Sequence, residues 1–475
     1  MERAERMGRD PLFPLMVRMA LPGLVSSMTT FFYTAINRKL LGDFTGTDAL
    51  AAVGVLSPVN NIIAGLSLFI TIGGAALLAL NMGRRDWARA NAIFTNIICQ
   101  IALMGGSLTI LFLSLTGTLV RMCGASTATA MYPLAVQYLR ILAIGQIPNM
   151  LNVGLASVIR AEGNARYSLV ANMIGAVLNL IVGYWLVARL QWGIRGAAIA
   201  TVTGQTAGAV FSAAYFLKKS SALSWQGFGV VRFSEMLLIS KSGVAPSIFQ
   251  ALGFTTNLIV NRSLKAYGGP NLETAIAGMS LVIMVDQLVV FLGAGINLAA
   301  SPIISFNYGS RQYARVKSAS FLAQAMTFGI TLLVYLPAMI APRLVLPLFG
   351  GSEQELLAFG SMAMRAAKPL LIFTGYQMLV SMYFSAIGRP DVATLVSLLR
   401  NGIFLIPALL ILPRQFGLMG VLYANPVSDG LSLIAVTVLY VREMRRLGTL
   451  ADGAPAPARG FRLRTRGLEA SESPE

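Results

Sequence analysis

Residues 293–319 read GAGINLAASPIISFNYGSRQYARVKSA, and residues 73–93 read GGAALLALNMGRRDWARANAI. The later stretch reads as the end of an apolar helix, a Pro-Ile-Ile exit, an Asn-Tyr-Gly turn, and a basic loop opening the next helix. Both stretches place an Asn two residues before a Gly (Asn81 and Gly83; Asn307 and Gly309), followed by an Arg-rich turn containing Ala-Arg. Gly83 and Gly309 lie 226 residues apart. RAEGNARYSLVANMIG (Gly163) answers SAIGRPDVATLVSLLRNG (Gly388) at an offset of 225, and WGIRGAAIATV (Gly196) answers FGLMGVLYANP (Gly420) at 224. A 475-residue chain with an internal period near half its length is two copies of one unit.

The composition fixes the solvent of that unit. The chain is 56% hydrophobic and 12% charged, about half the charged share of a soluble domain. It therefore reads as a polytopic membrane protein. With no His and only Cys99 and Cys123, neither a zinc site nor a disulfide framework is expected. The net charge of +18 sits in short loops and the tail, where it acts as topogenic charge beside anionic lipid rather than as a nucleic-acid surface. No cleavable signal pattern opens the chain, so the first helix is expected to be retained.

Twelve apolar stretches follow a basic amphiphilic tail at residues 1–11. They lie near 12–36, 51–80, 91–115, 133–157, 167–189 and 196–217, then 237–266, 272–299, 316–340, 361–387, 391–413 and 417–441. Each is about 20 residues or more, enough to cross the hydrocarbon core as a helix. The expected fold is thus an all-α polytopic membrane protein with twelve transmembrane helices in two six-helix bundles, residues 12–217 and 237–441. The linker at 218–236 and the basic tail at 442–475, the latter without a core to bury, complete the division. Alternate segments, starting with the N-terminal tail, carry 23 of the 37 Lys and Arg, which places both termini in the cytoplasm. Because each half has six spans, the halves share one orientation and are related by a pseudo-two-fold axis along the membrane normal.

Ionisable groups at mid-bilayer are costly unless they face water or a partner, so each is a functional candidate. They are Arg18 and Arg140 in the first half, then Asp286, Arg365, Lys368, Arg400 and Asp429 in the second. Arg140 and Arg365 are repeat mates, which favours a shared structural job such as binding carbonyls at a kinked helix. Asp286, beside polar Gln287, reads either as a carboxylate binding a proton, sodium or a cationic substrate, or as half of an ion pair with Arg400, Lys368 or Arg262. Asp429, in NPVSDGLSL, reads as a cap or hydrogen-bond partner for the helix broken by Pro426, and as a second coupling candidate. Asn37, Asn179, Thr201 and Gln205 are candidate cavity residues, each of which singly also reads as an ordinary interhelical hydrogen bond; Gln287, Lys368 and Arg400 are the candidates in the second half. No phosphate-binding loop, nucleophile elbow, metal-ligand cluster or channel filter stands in the sequence, so a catalytic role is not expected.

TDALAAVG (47–54), IGGAALLALNMGRRDWARA (72–90), RAEGNARYSLVANMIGAVLN (160–179), WGIRGAAIATV (192–202), SPIISFNYGSRQYARVK (301–317) and GLMGVLYANPVSDGLS (417–432) resemble the MATE family, multidrug and toxic-compound extrusion. The resemblance runs from about residue 15 to 441. It implies two bundles in a V, alternating access, and export of organic cations or drugs driven by inward proton or sodium flux. In many prokaryotic members an Asp in the first helix and another in the fifth form the cation site; by the motif spacing these positions are Asn37 and Gly183 here. Residues 243–260 contain no acid at the seventh-helix position where other members carry Glu. An Asn cannot take up and release a proton near neutral pH, so any coupling role is expected at Asp286 or Asp429.

The expected function is a secondary active exporter, a cation-coupled antiporter of amphiphilic organic compounds. The coupling ion is H+ or Na+, and no other cofactor is expected. The protein is expected as a monomer in a bacterial inner membrane, in contact with a small-molecule substrate and lipid. Two alternatives stand beside it: a flippase of lipid-linked precursors, for which Arg365, Lys368 and Arg400 would supply a cationic cavity, and a non-transporting receptor or scaffold.

Overall fold

A computed structural model describes residues 2–123, 131–217, 221–267, 272–350 and 353–453, and every regular element among them is helical. Lys218, Lys219 and the tail beyond residue 453, with four of its seven basic residues, lie outside the described residues. Seven helices are long and apolar enough to cross a membrane, and three bent pairs bring the number to ten. The run Pro390–Gly448 is really two spans, broken at Gly417, and Gly193–Leu217 completes the expected twelve.

The first six spans are Leu12–Thr45, Ser57–Gly83, Trp87–Met122, the pair Met131–Ile144 and Gln146–Ala161, then Ala165–Gly183 with a π turn to Arg189, and Gly193–Leu217. The second six are the pair Phe233–Ser242 and Val244–Tyr267, then Leu272–Gly309, Tyr313–Ile340, the pair Gln354–Ala367 and Thr374–Ala386, residues 390–416, and residues 418–448. Side chains fix several starts. Asp86 accepts the Arg89 amide at 2.9 Å to open the third span, and Asn164 accepts the Tyr167 amide at 3.3 Å to open the fifth.

The repeat is written into the backbone. Arg85 and Arg311 (φ 62° and 60°), Gly163 and Gly388 (85° and 77°), and Gly193 and Gly417 (58° and 54°) are left-handed pairs at offsets of 226, 225 and 224. Bulky residues avoid this region, so the two arginines mark a turn conserved between the halves by geometry. The fourth and tenth spans match too, bent by 53° and 59°. One expectation fails. The helix does not exit at Pro302 but continues to Gly309. Ile303, Ile304 and Phe306 are buried there, and the packing of these side chains holds the helix through the one bond that proline removes.

Small residues let the halves approach closely. A Cβ on Gly23 would lie 2.3 Å from the Gly295 carbonyl oxygen, one on Gly243 1.8 Å from that of Phe69, and one on Gly309 2.1 Å from that of Leu80. The first span thus crosses the eighth, and the second crosses the seventh. At the end carrying the Arg-rich turns, hereafter the basic end, Gly83 meets Phe306 and Ser385 donates to the Ser242 carbonyl at 2.9 Å.

Two segments outside the spans are firmly attached at this end. The N-terminal stretch forms a helix, Glu2–Arg9, that buries Ala4 and Met7. The Met7 carbonyl accepts Asn307 Nδ2 at 3.0 Å and Arg315 Nη2 at 3.1 Å, while the Arg3 carbonyl lies against Gly163 of the other half. The connection between halves is stapled to the first half. Asn91, Thr95 and Asn96 accept the amides of Ser224, Gln226 and Arg232, and Glu162 Oε1 accepts Ser221 Oγ and the amides of Ala222 and Leu223. The half-span Phe233–Ser242 follows suit: Gln100 donates to Ser240 Oγ at 2.6 Å, and Arg89 pairs with Glu235 at 3.4 Å.

Candidate functional site

Four of the five ionised residues that the sequence places inside the second bundle's membrane layer, Arg365 being the fifth, converge on one site. Asp286 comes from the eighth span. Lys368 stands at the break of the tenth, where the helix ends at Ala367 and Pro369 follows. Arg400 belongs to the π turn Leu399–Phe404 of the eleventh, and Asp429 to the twelfth. A proline without an N–H stops one helix, and a widened turn re-aims a side chain in another. Both irregularities therefore serve to bring a cation inward.

The two ion pairs differ in kind. Arg400 Nε donates to Asp429 Oδ1 at 2.7 Å, and its Nη2 donates to Thr374 Oγ1 at 3.1 Å. Ser428 Oγ donates to the Arg400 carbonyl at 2.7 Å, and Gln377 donates to the Asp429 carbonyl at 3.2 Å. This is a tight, largely buried charge-assisted pair. Lys368 Nζ lies 3.3 Å from Asp286 Oδ1, an oxygen that is buried and receives no hydrogen bond of good geometry among the described residues. The Lys368 side chain is only 6% exposed, whereas that of Asp286 is 24% exposed. Asp286 also lies close enough to act on Arg400 electrostatically. Two positive and two negative charges thus share one low-dielectric site.

Of the readings left open for Asp286, the structure selects Lys368 as its partner. The partner of Asp429 is Arg400 rather than the backbone opened by Pro426. Arg365 donates to the carbonyls of Met339 and Ile340, at the end of the ninth span, at 3.4 and 3.1 Å. Its repeat mate Arg140 is exposed.

The first bundle holds a neutral counterpart. Asn37 Nδ2 donates to Asn179 Oδ1 at 2.7 Å, and Asn179 Nδ2 donates to Thr201 Oγ1 at 3.4 Å. A Cβ on Gly183 would lie 3.9 Å from Asn37 Oδ1, so the two positions that are acidic in many family members do adjoin in space. Here they offer an amide and a hydrogen. Gln205 is half-buried beside this network on the sixth span, and Gln287 is exposed beside Asp286. Sequence reasoning did not single out Thr374, Gln377 and Ser428 around Arg400. A lone polar residue in an apolar run is their only trace in the sequence.

The profile of the MatE family matches residues 22–185 and again 246–410, two stretches whose starts are 224 residues apart. The chain is similar to the multidrug export protein MepA of Staphylococcus aureus, with 23% identity over 436 residues, covering 91% of this chain and 94% of the relative. MepA of Staphylococcus haemolyticus is 22% identical over 434 residues, with 90% and 93% covered. Among solved structures, the outward-facing conformation of a multidrug resistance MATE family transporter of the MOP superfamily superposes with a TM-score of 0.87 at 22% identity, covering 94% of this chain and 98% of that one. The MATE multidrug transporter DinF-BH in complex with R6G gives 0.85 at 27% identity, with 94% and 99% covered.

Proposed function

The chain belongs to the MATE family of multidrug efflux transporters, and on that footing we propose that it is a secondary active exporter of amphiphilic organic cations driven by inward proton flux. The observation that carries this reading is Asp286, an intramembrane acid that keeps 24% of its side chain accessible while bound to a cation of the protein itself. An acid so placed exchanges one positive charge for another. Sodium is the weaker candidate, because an ion that prefers several oxygen ligands would meet a site already filled by an ammonium and a guanidinium. The flippase reading needs free cations, and Lys368, Arg400 and Arg365 are each engaged, by Asp286, Asp429 and two carbonyls respectively.

Alternating access follows from rocking one bundle against the other about the crossings at Gly23–Gly295 and Phe69–Gly243. The close contacts at the basic end, Gly83 with Phe306 and Gly309 with Leu80, support an outward-open reading of this conformation. With the basic end in the cytoplasm, both described termini lie on the cytoplasmic side of a bacterial plasma membrane. The protein works as a monomer in this reading, with lipid around its apolar faces.

The test is uptake of ethidium into inside-out vesicles under a pH gradient or a sodium gradient imposed separately, with wild type and Asp286→Asn. Uptake driven by the pH gradient and lost in the variant supports the reading. Uptake driven by sodium alone replaces the proton. No uptake under either gradient overturns cation export.

A further inference from the structure

We propose that Lys368, not either aspartate, carries the coupled proton: the organic cation takes the place of the Lys368 ammonium on Asp286, and Lys368 then gives up a proton from Nζ. This rests on the cation-export reading above and names how its site exchanges charge.

The argument is one of neutrality. Lys368, Arg400, Asp286 and Asp429 sum to zero, and all but Asp286 are buried. A cation arriving at Asp286 adds one uncompensated positive charge, which a low-dielectric site resists strongly. Shedding a proton from a neighbouring cation restores the balance. Arg400 is unsuited, since a guanidinium keeps its proton in proteins and this one is fixed by Asp429 and Thr374. A lysine ammonium deprived of its counter-ion releases a proton readily. The geometry agrees, because the Lys368–Asp286 pair is the looser one, at 3.3 Å against 2.7 Å, and the acid is more exposed than the lysine, at 24% against 6%. Three other titratable or charged groups of the second bundle have partners of their own. Asp429 is held by Arg400, Arg365 by the Met339 and Ile340 carbonyls, and the Tyr335 hydroxyl donates to the Pro369 carbonyl at 2.6 Å.

The cycle balances. With the cytoplasmic side open, the cation binds Asp286 and the Lys368 proton passes to cavity water. With the outer side open, external water returns a proton to the Lys368 amine, the ammonium recovers Asp286, and the cation leaves. One proton enters for each monovalent cation exported, so the exchange is electroneutral.

The experiment measures ethidium binding to the purified full chain across a pH series, together with protons released on binding. Wild type should bind about tenfold more tightly per pH unit over the exchanging range and release about one proton per cation. Lys368→Gln should still bind, with a flat pH profile and no proton release, and should move ethidium down its own gradient without response to a pH gradient. Lys368→Arg should lose at least about tenfold in affinity at every pH, because its guanidinium cannot vacate Asp286 by losing a proton. A melting curve confirms that each variant is folded. Wild-type proton release persisting in Lys368→Gln overturns the proposal while leaving export intact, whereas a wild type that neither binds ethidium nor transports it under a pH gradient overturns both.

Discussion

Gly83 lies so close to Phe306 that a Cβ on the glycine would sit 2.0 Å from the phenylalanine's carbonyl oxygen. Backbone against backbone leaves no flexible side chain to yield. Gly83→Ala should therefore push the two bundles apart at the basic end, at a cost of roughly 1–3 kcal/mol, the usual range for overpacking. Distances between spin labels on the Arg84 and Arg311 turns should lengthen. Gly106→Ala, where an added Cβ meets nothing within 4 Å, should change nothing.

Arg400 and Asp429 form a buried pair, and removing one partner strands the other. Either Arg400→Met or Asp429→Asn should lower stability by about 3–5 kcal/mol, and Arg400→Met with Asp429→Leu should recover most of it. Thermal unfolding in detergent reads both. Failure of the double variant to recover would mean that the pair also organises Thr374 and Gln377 in a way apolar side chains cannot replace.

The Asn37–Asn179 bond is an interhelical hydrogen bond in a membrane, worth on the order of 0.6 kcal/mol. Asn37→Ala should leave folding nearly unchanged. It should also leave the response of ethidium uptake to a pH gradient intact, while Asp286→Asn abolishes it. The reverse result would return coupling to the first bundle.

Glu162 holds the connection between bundles. Burial, the larger effect, pushes its carboxyl above the ordinary glutamate value, against donation from Tyr215, Ser221 and the amides of Leu223 and Ala222. The folded chain thus holds this proton more tightly than the unfolded one. Its contribution to stability is full below the ordinary value and is lost as pH rises through the raised one. Glu162→Gln should flatten that dependence, and Glu162→Ala should speed proteolysis within residues 221–232.

The spans were legible because hydropathy and charge are local properties summed over about 20 residues. The repeat was legible because left-handed turns demand recurring residues, as at Gly163 and Gly388. The helix through Pro302 was not, since its continuation rests on tertiary packing that no window contains. Nor was the choice of Lys368 over Arg400 for Asp286, which depends on a helix break in one span and a π turn in another. The clamp of residues 221–232 onto Asn91, Thr95 and Asn96 was hidden for the same reason: those partners lie more than 130 residues away. The family resemblance pointed to Asn37 and Gly183 as a pair, and their proximity is real, but the acids are elsewhere.

The helix at Glu2–Arg9 is made well before Asn307, to which its Met7 carbonyl is bound and which comes 300 residues later. At ribosomal rates of about 5–20 residues per second, that interval is roughly 15–60 s. During this time the opening segment has only the part of its seat that the first bundle supplies at Gly163, since the rest is the end of the eighth span. Its docking is therefore a late event in biogenesis. Protection of Met7 from a water-soluble reagent during synthesis would mark the moment at which the eighth span has been inserted and folded against the rest.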